Sequence, residues 1–219
     1  MINIVYEDNH LLVIEKPINV PSQKDDSNDP DVLTLLKEYI KNKYNKPGDV
    51  YLGLVHRLDR PAGGLMVFAR TSKAAMRLSE DMRNHNIIKI YNAVVEGNLA
   101  QEGTFVDYLV KDSKNNVTTV TQNKNEGKEA ILNYRIIKKI GNLNLVEIDL
   151  ETGRPHQIRV QFASRGFPLL GDQKYNRRHD RHDQLALYSV RLMFTHPTTK
   201  LKLDYKLELP NTYPWNVFK

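Results

Sequence analysis

Cysteine is absent from this 219-residue chain, which removes disulfides, thiolate nucleophiles and cysteine-ligated zinc from consideration. No stretch approaches the ~20 consecutive apolar residues of a bilayer-spanning helix. The opening MINIVYEDNH lacks the basic head and apolar run of a secretory leader. A cytoplasmic protein with no membrane partner is therefore expected. Repeats, low-complexity tracts and Gly/Ser linkers are also missing, so nothing divides the chain, and one domain over residues 1–219 is expected. There is no G-x-S-x-G elbow, no Walker loop and no G-x-G-x-x-G.

What is present is positive charge, unevenly placed. The net charge is +6, yet residues 1–50 hold six Lys/Arg against nine Asp/Glu. Residues 154–191 hold eight (Arg154, Arg159, Arg165, Lys174, Arg177, Arg178, Arg181, Arg191) against Asp172, Asp180 and Asp183, a local net of +5. Seven of those eight are arginine, whose planar fork suits phosphate, so a polyanion is the expected partner. The alternative is a solvated positive face. The sequence HDRHD at 179–183 clusters two histidines, but no matching ligand group follows and no metal is expected there.

Hydrophobic alternation predicts two strands around an Asp8-Asn9 turn, a central strand in IIKIYNAVVEG, and further strands near 104–110, 116–122, 130–138, 143–151, 185–194 and 201–209. Helices are expected from Asp29, as N-cap with Pro30 first, through Tyr44; over 72–85 with Ser72 capping; and over HQIRVQFAS, ended by Gly166. Strands outnumber helices and often follow one another. The predicted class is α+β, a mixed, largely antiparallel central sheet with flanking helices.

One carboxylate stands out. In HRLDRPAGGLM, Asp59 lies between Arg57 and Arg60, where positive charge favours its ionised form. An ionised carboxylate can attack or stabilise an electron-poor carbon such as a sugar anomeric centre. Glycoside hydrolysis needs a second, protonated carboxyl, and none accompanies it, which suggests a leaving group that departs easily and stays bound. The same residue could equally order a loop through an arginine pair.

HRLDRPAGGLMVFARTSKAA resembles the catalytic motif of the RluA-type pseudouridine synthases, H-R-L-D-R-x-T-S-G-L followed by a V-F-A-K-like strand. VIEKP, KIYNAVVEG, TGRPHQIRVQFASRGFPLLGD and LALYSVRLMFTHP are similar to further family segments, in order, over residues 4–209. The resemblance implies an isomerase that breaks the N1–C1′ bond of a uridine in structured RNA, ribosomal or transfer RNA, turns the uracil and joins C5 to C1′. It implies a central active-site cleft, no cofactor, no metal and no DNA, a monomer, and the short form without an S4-like RNA-binding domain in front. By position, Asp59 is the catalytic aspartate. Tyr91 is the tyrosine that stacks on the target base, Arg159 the arginine that pairs with the aspartate, and Arg57 the arginine that enters the RNA stack where the uridine leaves. Substrate contacts are further expected from His56, Arg60, Arg154, His156 and Gln157, and from Lys16, which either orders the cleft floor or meets phosphate. Ala62 and Gly63 replace the usual Thr-Ser, and Gly63 is expected to free the backbone after Asp59. Ile90 stands where an acidic residue is common. A non-catalytic RNA-binding module on the same scaffold is the alternative, and a metal-dependent nuclease using Asp59 and HDRHD ranks below it.

Overall fold

In chain order the elements are β1 (Asn3–Glu7), β2 (Leu11–Lys16), α1 (Val32–Lys43), β3 (Gly53–Leu54), β4 (Gly63–Ala69), α2 (Ser72–Arg83) and β5 (Ile88–Glu96). There follow β6 (Glu102–Asp112), β7 (Val117–Thr121), β8 (Lys128–Ile140), β9 (Leu143–Leu150), α3 (Gln157–Ser164), β10 (Leu187–Thr195) and β11 (Lys202–Lys206), then a 3-10 turn at Trp215–Phe218. This is a computed structural model that describes residues 2–176 and 184–219. The HDRHD cluster lies outside the described residues. The pairings are antiparallel, giving the expected α+β class with a largely antiparallel sheet. No helix among the described residues is long and apolar enough to cross a membrane. Two compact units emerge: Met1–Ile88 with Arg191–Leu207, and Lys89–Val190 with Glu208–Lys219.

In the first unit β2 pairs with β1 on one side and β4 on the other, in a register that sets Lys16 opposite Gly64. Both strands are apolar at consecutive positions because both faces are covered. One face sets Leu11, Val13, Leu65 and Val67 against Ala74 and Leu78 of α2, and Leu12, Ile14, Met66 and Phe68 on the other are equally closed to solvent.

Both long helices begin elsewhere than composition suggests. Asp31, not Asp29, caps α1, its Oδ1 accepting from Thr34 N–H at 3.0 Å. Asp29 is instead drawn to Arg60. Thr71 rather than Ser72 caps α2, accepting from Ala74 N–H at 3.2 Å.

The turns after β1 and β10 are joined by Asp8 and His196. His196 Nδ1 accepts from the N–H groups of Thr198 and Thr199, so its proton sits on Nε2 and is donated to Asp8 Oδ2 at 2.8 Å. Asp8 Oδ1 accepts from His10 and Leu11 N–H, each at 2.7 Å. Burial pushes the Asp8 carboxyl up, but those two N–H groups, then His196 and Tyr6, outweigh it and hold it below 3.8. A depressed carboxylate stabilises the fold above its unfolded pKa and stops doing so as pH falls through its folded one. Asp8→Ala is expected to cost about 3 kcal/mol at neutral pH. Urea unfolding followed by circular dichroism should show that difference shrinking only below pH ~4.

In the second unit the strands run β5-β9-β8-β6-β7. Register places Tyr91 opposite Ile148, Ile148 opposite Tyr134, and Leu132 opposite Phe105, all on one face. Phe162 of α3 packs edge-on against Phe105 and Tyr134, at ring separations of 5.0 and 5.4 Å. Helix α3 therefore lies on the face of the sheet that carries Tyr91.

Candidate active site

In the first unit, backbone and side-chain anchors enclose the loop of Asp59. Ser22 Oγ donates to the Leu58 carbonyl at 2.8 Å and accepts the Leu58 N–H at 3.2 Å, immediately before Asp59. The Asp59 carbonyl accepts from Ala62 N–H at 3.0 Å, closing the turn immediately after it. His56 Nε2 accepts the Val67 N–H of β4 at 3.1 Å, so the loop's entry is pinned to the central strand. That bond also makes His56 a neutral ring with its proton on Nδ1.

Lys16 completes the loop from beneath. Its ammonium donates to the carbonyls of Ala62 (2.7 Å), Pro17 (2.9 Å) and Arg60 (3.1 Å), and the residue is fully buried. An ammonium has three N–H donors, so all are consumed and none remains for phosphate. Of its two expected roles, ordering the floor is the one these contacts support. Burial draws the Lys16 pKa down to about 7, against the attraction of Asp59 and with the repulsion of Arg60. Only the charged form satisfies all three carbonyls.

The flanking arginines differ from each other. The guanidinium of Arg60 goes to the Asn19 carbonyl, Ser27 and Asp29, with Asp25 at 3.6 Å, so this side chain fastens the 19–29 segment. Arg57 is exposed and has no side-chain hydrogen bond or ion pair among the described residues. Gly63 and Ala62 are buried at the start of β4. The conformational freedom expected of Gly63 is used one residue later, at Gly64, whose φ is +111°.

In the second unit Tyr91 is buried on β5, and Arg159 is buried on α3 over the same face. Arg159 forks onto Asp172, Nε to Oδ2 at 2.8 Å and Nη2 to Oδ1 at 2.7 Å, and lies 5.2 Å above the Tyr175 ring. Asp172 also accepts the N–H groups of Lys174 and Tyr175. A side chain at Gly171, where φ is +70°, would collide with the Gln184 carbonyl, so glycine is needed to bring Asp172 into place. Two of the five guanidinium donors are used on Asp172, and this pair aims the fork. Removing the cation would leave a buried, unpaired carboxylate. Arg159→Ala is expected to lose about 3–5 kcal/mol, measurable by urea unfolding on the fluorescence of Trp215, the single tryptophan and a member of the same unit. Unchanged stability would show that the Asp172 pair does not hold this helix.

The turn leading into α3 is built by Gln157. Its Oε1 accepts from Thr152 Oγ1 (2.8 Å) and Arg154 N–H (3.0 Å), and its Nε2 donates to the Ile131 carbonyl at 3.1 Å. Gln157 is also buried, so it ties this turn together. His156, in the left-handed region at φ 54°, is held by Tyr175, whose hydroxyl lies 2.8 Å from its Nδ1 and accepts the Thr118 N–H. Arg154 is tethered by Nε to the Glu129 carbonyl.

In the described part of the basic segment, several cations are already paired. Arg165 is bidentate to Asp107 and Arg191 to Asp204, partners outside 154–191, while Arg159 has Asp172 and Lys174 the Asn116 carbonyl. Arg177, Arg178 and Arg181 lie outside the described residues. Arg154 has one side-chain hydrogen bond among the described residues, Nε to the Glu129 carbonyl.

Residues 10–164 match the family described as RNA pseudouridylate synthase. A relative from Zymomonas mobilis, ribosomal large subunit pseudouridine synthase D, is 34% identical over 220 residues, covering 95% of this chain and 69% of its own. The chain belongs to the RNA pseudouridylate synthase family. It is thus an isomerase that converts uridine to pseudouridine in RNA. A second enzyme of the same name, from Buchnera aphidicola, is 33% identical with 95% and 69% covered. The human RNA pseudouridylate synthase domain containing 4 has the same fold: TM-score 0.80, 22% identity, with 95% of this chain and 88% of that one covered. The family match takes in every candidate residue from Lys16 to Arg159.

Sequence reasoning missed Ser22, Asp172 and Tyr175. Each acts through a partner 13 or more residues away or on an adjoining turn, and no local pattern marks them. Asp172 had counted only as a charge subtracted from the basic segment.

Proposed function

We propose that this pseudouridine synthase modifies uridines in ribosomal RNA, with transfer RNA as the second substrate class, and that Asp59 is its catalytic carboxylate. The observation that carries the Asp59 assignment is the enclosure of its loop. Backbone groups on both sides are anchored by Ser22, Lys16 and His56, which is the preorganisation a reacting group requires. The names of the relatives support ribosomal RNA, and a cytoplasmic location accords with such a substrate.

In this reading the N1–C1′ bond of the uridine breaks with Asp59 at the sugar, the uracil turns, and C5 bonds to C1′. The C5 hydrogen leaves as a proton and N1 is reprotonated, so the atoms balance without a co-reactant. Tyr91 stacks on the base, Arg159 supplies the cation for the aspartate, and exposed Arg57 fills the space the flipped uridine vacates. Flipping costs a few kcal/mol, which stacking and an inserted guanidinium offset.

The test is chemical mapping of pseudouridine in large-subunit ribosomal RNA and transfer RNA transcripts incubated with the purified protein. One or a few new pseudouridines in ribosomal RNA are expected. Modification of transfer RNA alone would reverse the order of substrates, and modification of neither, with RNA bound normally, would favour the non-catalytic module.

A further inference from the structure

Two residues before Tyr91, strand β5 carries a lysine that the reaction just described does not use. Lys89 is 6% exposed, yet its ammonium has no hydrogen bond and no ion pair within 4 Å among the described residues. Its Nζ keeps some solvent contact, since it is not one of the fully enclosed unpartnered atoms. A Cβ on Gly153 would lie 3.8 Å from that nitrogen, so the ammonium stands against the turn that leads into α3. Spacing of two along the strand puts Lys89 on the face that bears Tyr91.

The acidic neighbour does not account for it. Asp149 pairs in register with Ile90, so its carboxylate belongs to the opposite face of the sheet. Its attraction reaches Lys89 from there but is outweighed by burial, which draws the lysine's pKa down. A cation held this way, beside the base-stacking tyrosine and with its ammonium not fully enclosed, is arranged for an anion that arrives from outside.

We propose that Lys89 binds a backbone phosphate of the RNA next to the uridine that Tyr91 stacks on, an inference that rests on the RNA substrate proposed above. A uracil carbonyl is the other oxygen within such a site, but it would leave the buried charge uncompensated, whereas a phosphate neutralises it. Salt dependence separates the two, because neutralising a phosphate releases counterions and contacting a carbonyl does not.

The experiment measures binding of a fluorescein-labelled RNA stem-loop with uridines in its loop, between about 50 and 200 mM salt. It compares Asp59→Asn with Asp59→Asn/Lys89→Met, so no turnover intrudes and an absence of isomerase activity would not affect the reading. Lys89→Met is expected to weaken binding about ten-fold at low salt and to make the slope of log K against log salt shallower by about 0.7–0.9. Its melting temperature should be unchanged or raised, since a buried charge is removed. Weaker binding with parallel salt lines would transfer the contact to a base and overturn the proposal. Unchanged binding with a lowered melting temperature would also overturn it and make Lys89 a packing residue. If the methionine variant does not fold, Lys89→Gln carries the same comparison.

Discussion

Asp59→Asn is expected to lower the rate of isomerisation by at least about 10⁴-fold, the scale on which removal of a reacting group acts, while RNA binding changes by less than about three-fold. The substitution keeps the shape of the side chain and removes its charge. The anchors of the loop, Lys16 under the Arg60 and Ala62 carbonyls, Ser22 on Leu58 and His56 on Val67, all remain. Single-turnover conversion of a mapped uridine, read beside equilibrium binding, separates chemistry from affinity. Pseudouridine formed at the wild-type rate by the asparagine variant would remove Asp59 from the mechanism.

Lys16→Met is expected to damage the same loop from below. Methionine fills much of the same volume, but the carbonyls of Pro17, Arg60 and Ala62 lose their shared donor. Each buried acceptor left without a partner costs about 1–3 kcal/mol, partly offset by no longer burying a charge. A net loss of about 3 kcal/mol is expected in urea unfolding followed by circular dichroism. Activity should fall about a hundred-fold through misplacement of Asp59. Hydrogen exchange localises the effect, with faster exchange expected at Leu58 and Ala62, whose amides the intact loop protects. A variant with native stability, native exchange and reduced RNA affinity would instead make Lys16 a substrate ligand.

The two lysines show why burial has to be read together with partners. Lys16 and Lys89 are both buried, but three carbonyls account for one, and among the described residues no hydrogen-bonding group accounts for the other. In the sequence each is one lysine beside an apolar strand. The same holds for the arginines: Arg60 and Arg57 flank one aspartate, yet one is bound to an acidic segment and the other has no side-chain partner among the described residues.

By itself the sequence determined the order of strands and helices, the α+β class and the family, because these rest on local alternation, turns and short motifs in order along the chain. The helix caps were displaced by one or two residues, since neighbouring Asp29 and Asp31, or Thr71 and Ser72, compete on equal local terms until a distant partner such as Arg60 takes one of them. Only the tertiary structure decided what each charged side chain does. Arg165 meets Asp107 across 58 residues, and Lys16 meets the Ala62 carbonyl across 46. Such pairs depend on strand register and loop path, so Arg165 and Arg191, counted as free charge in the 154–191 segment, are paired with acids outside it. The carboxylate at 59 could be found by reading; the lysine that supports its loop, and the lysine buried beside Tyr91, required the fold.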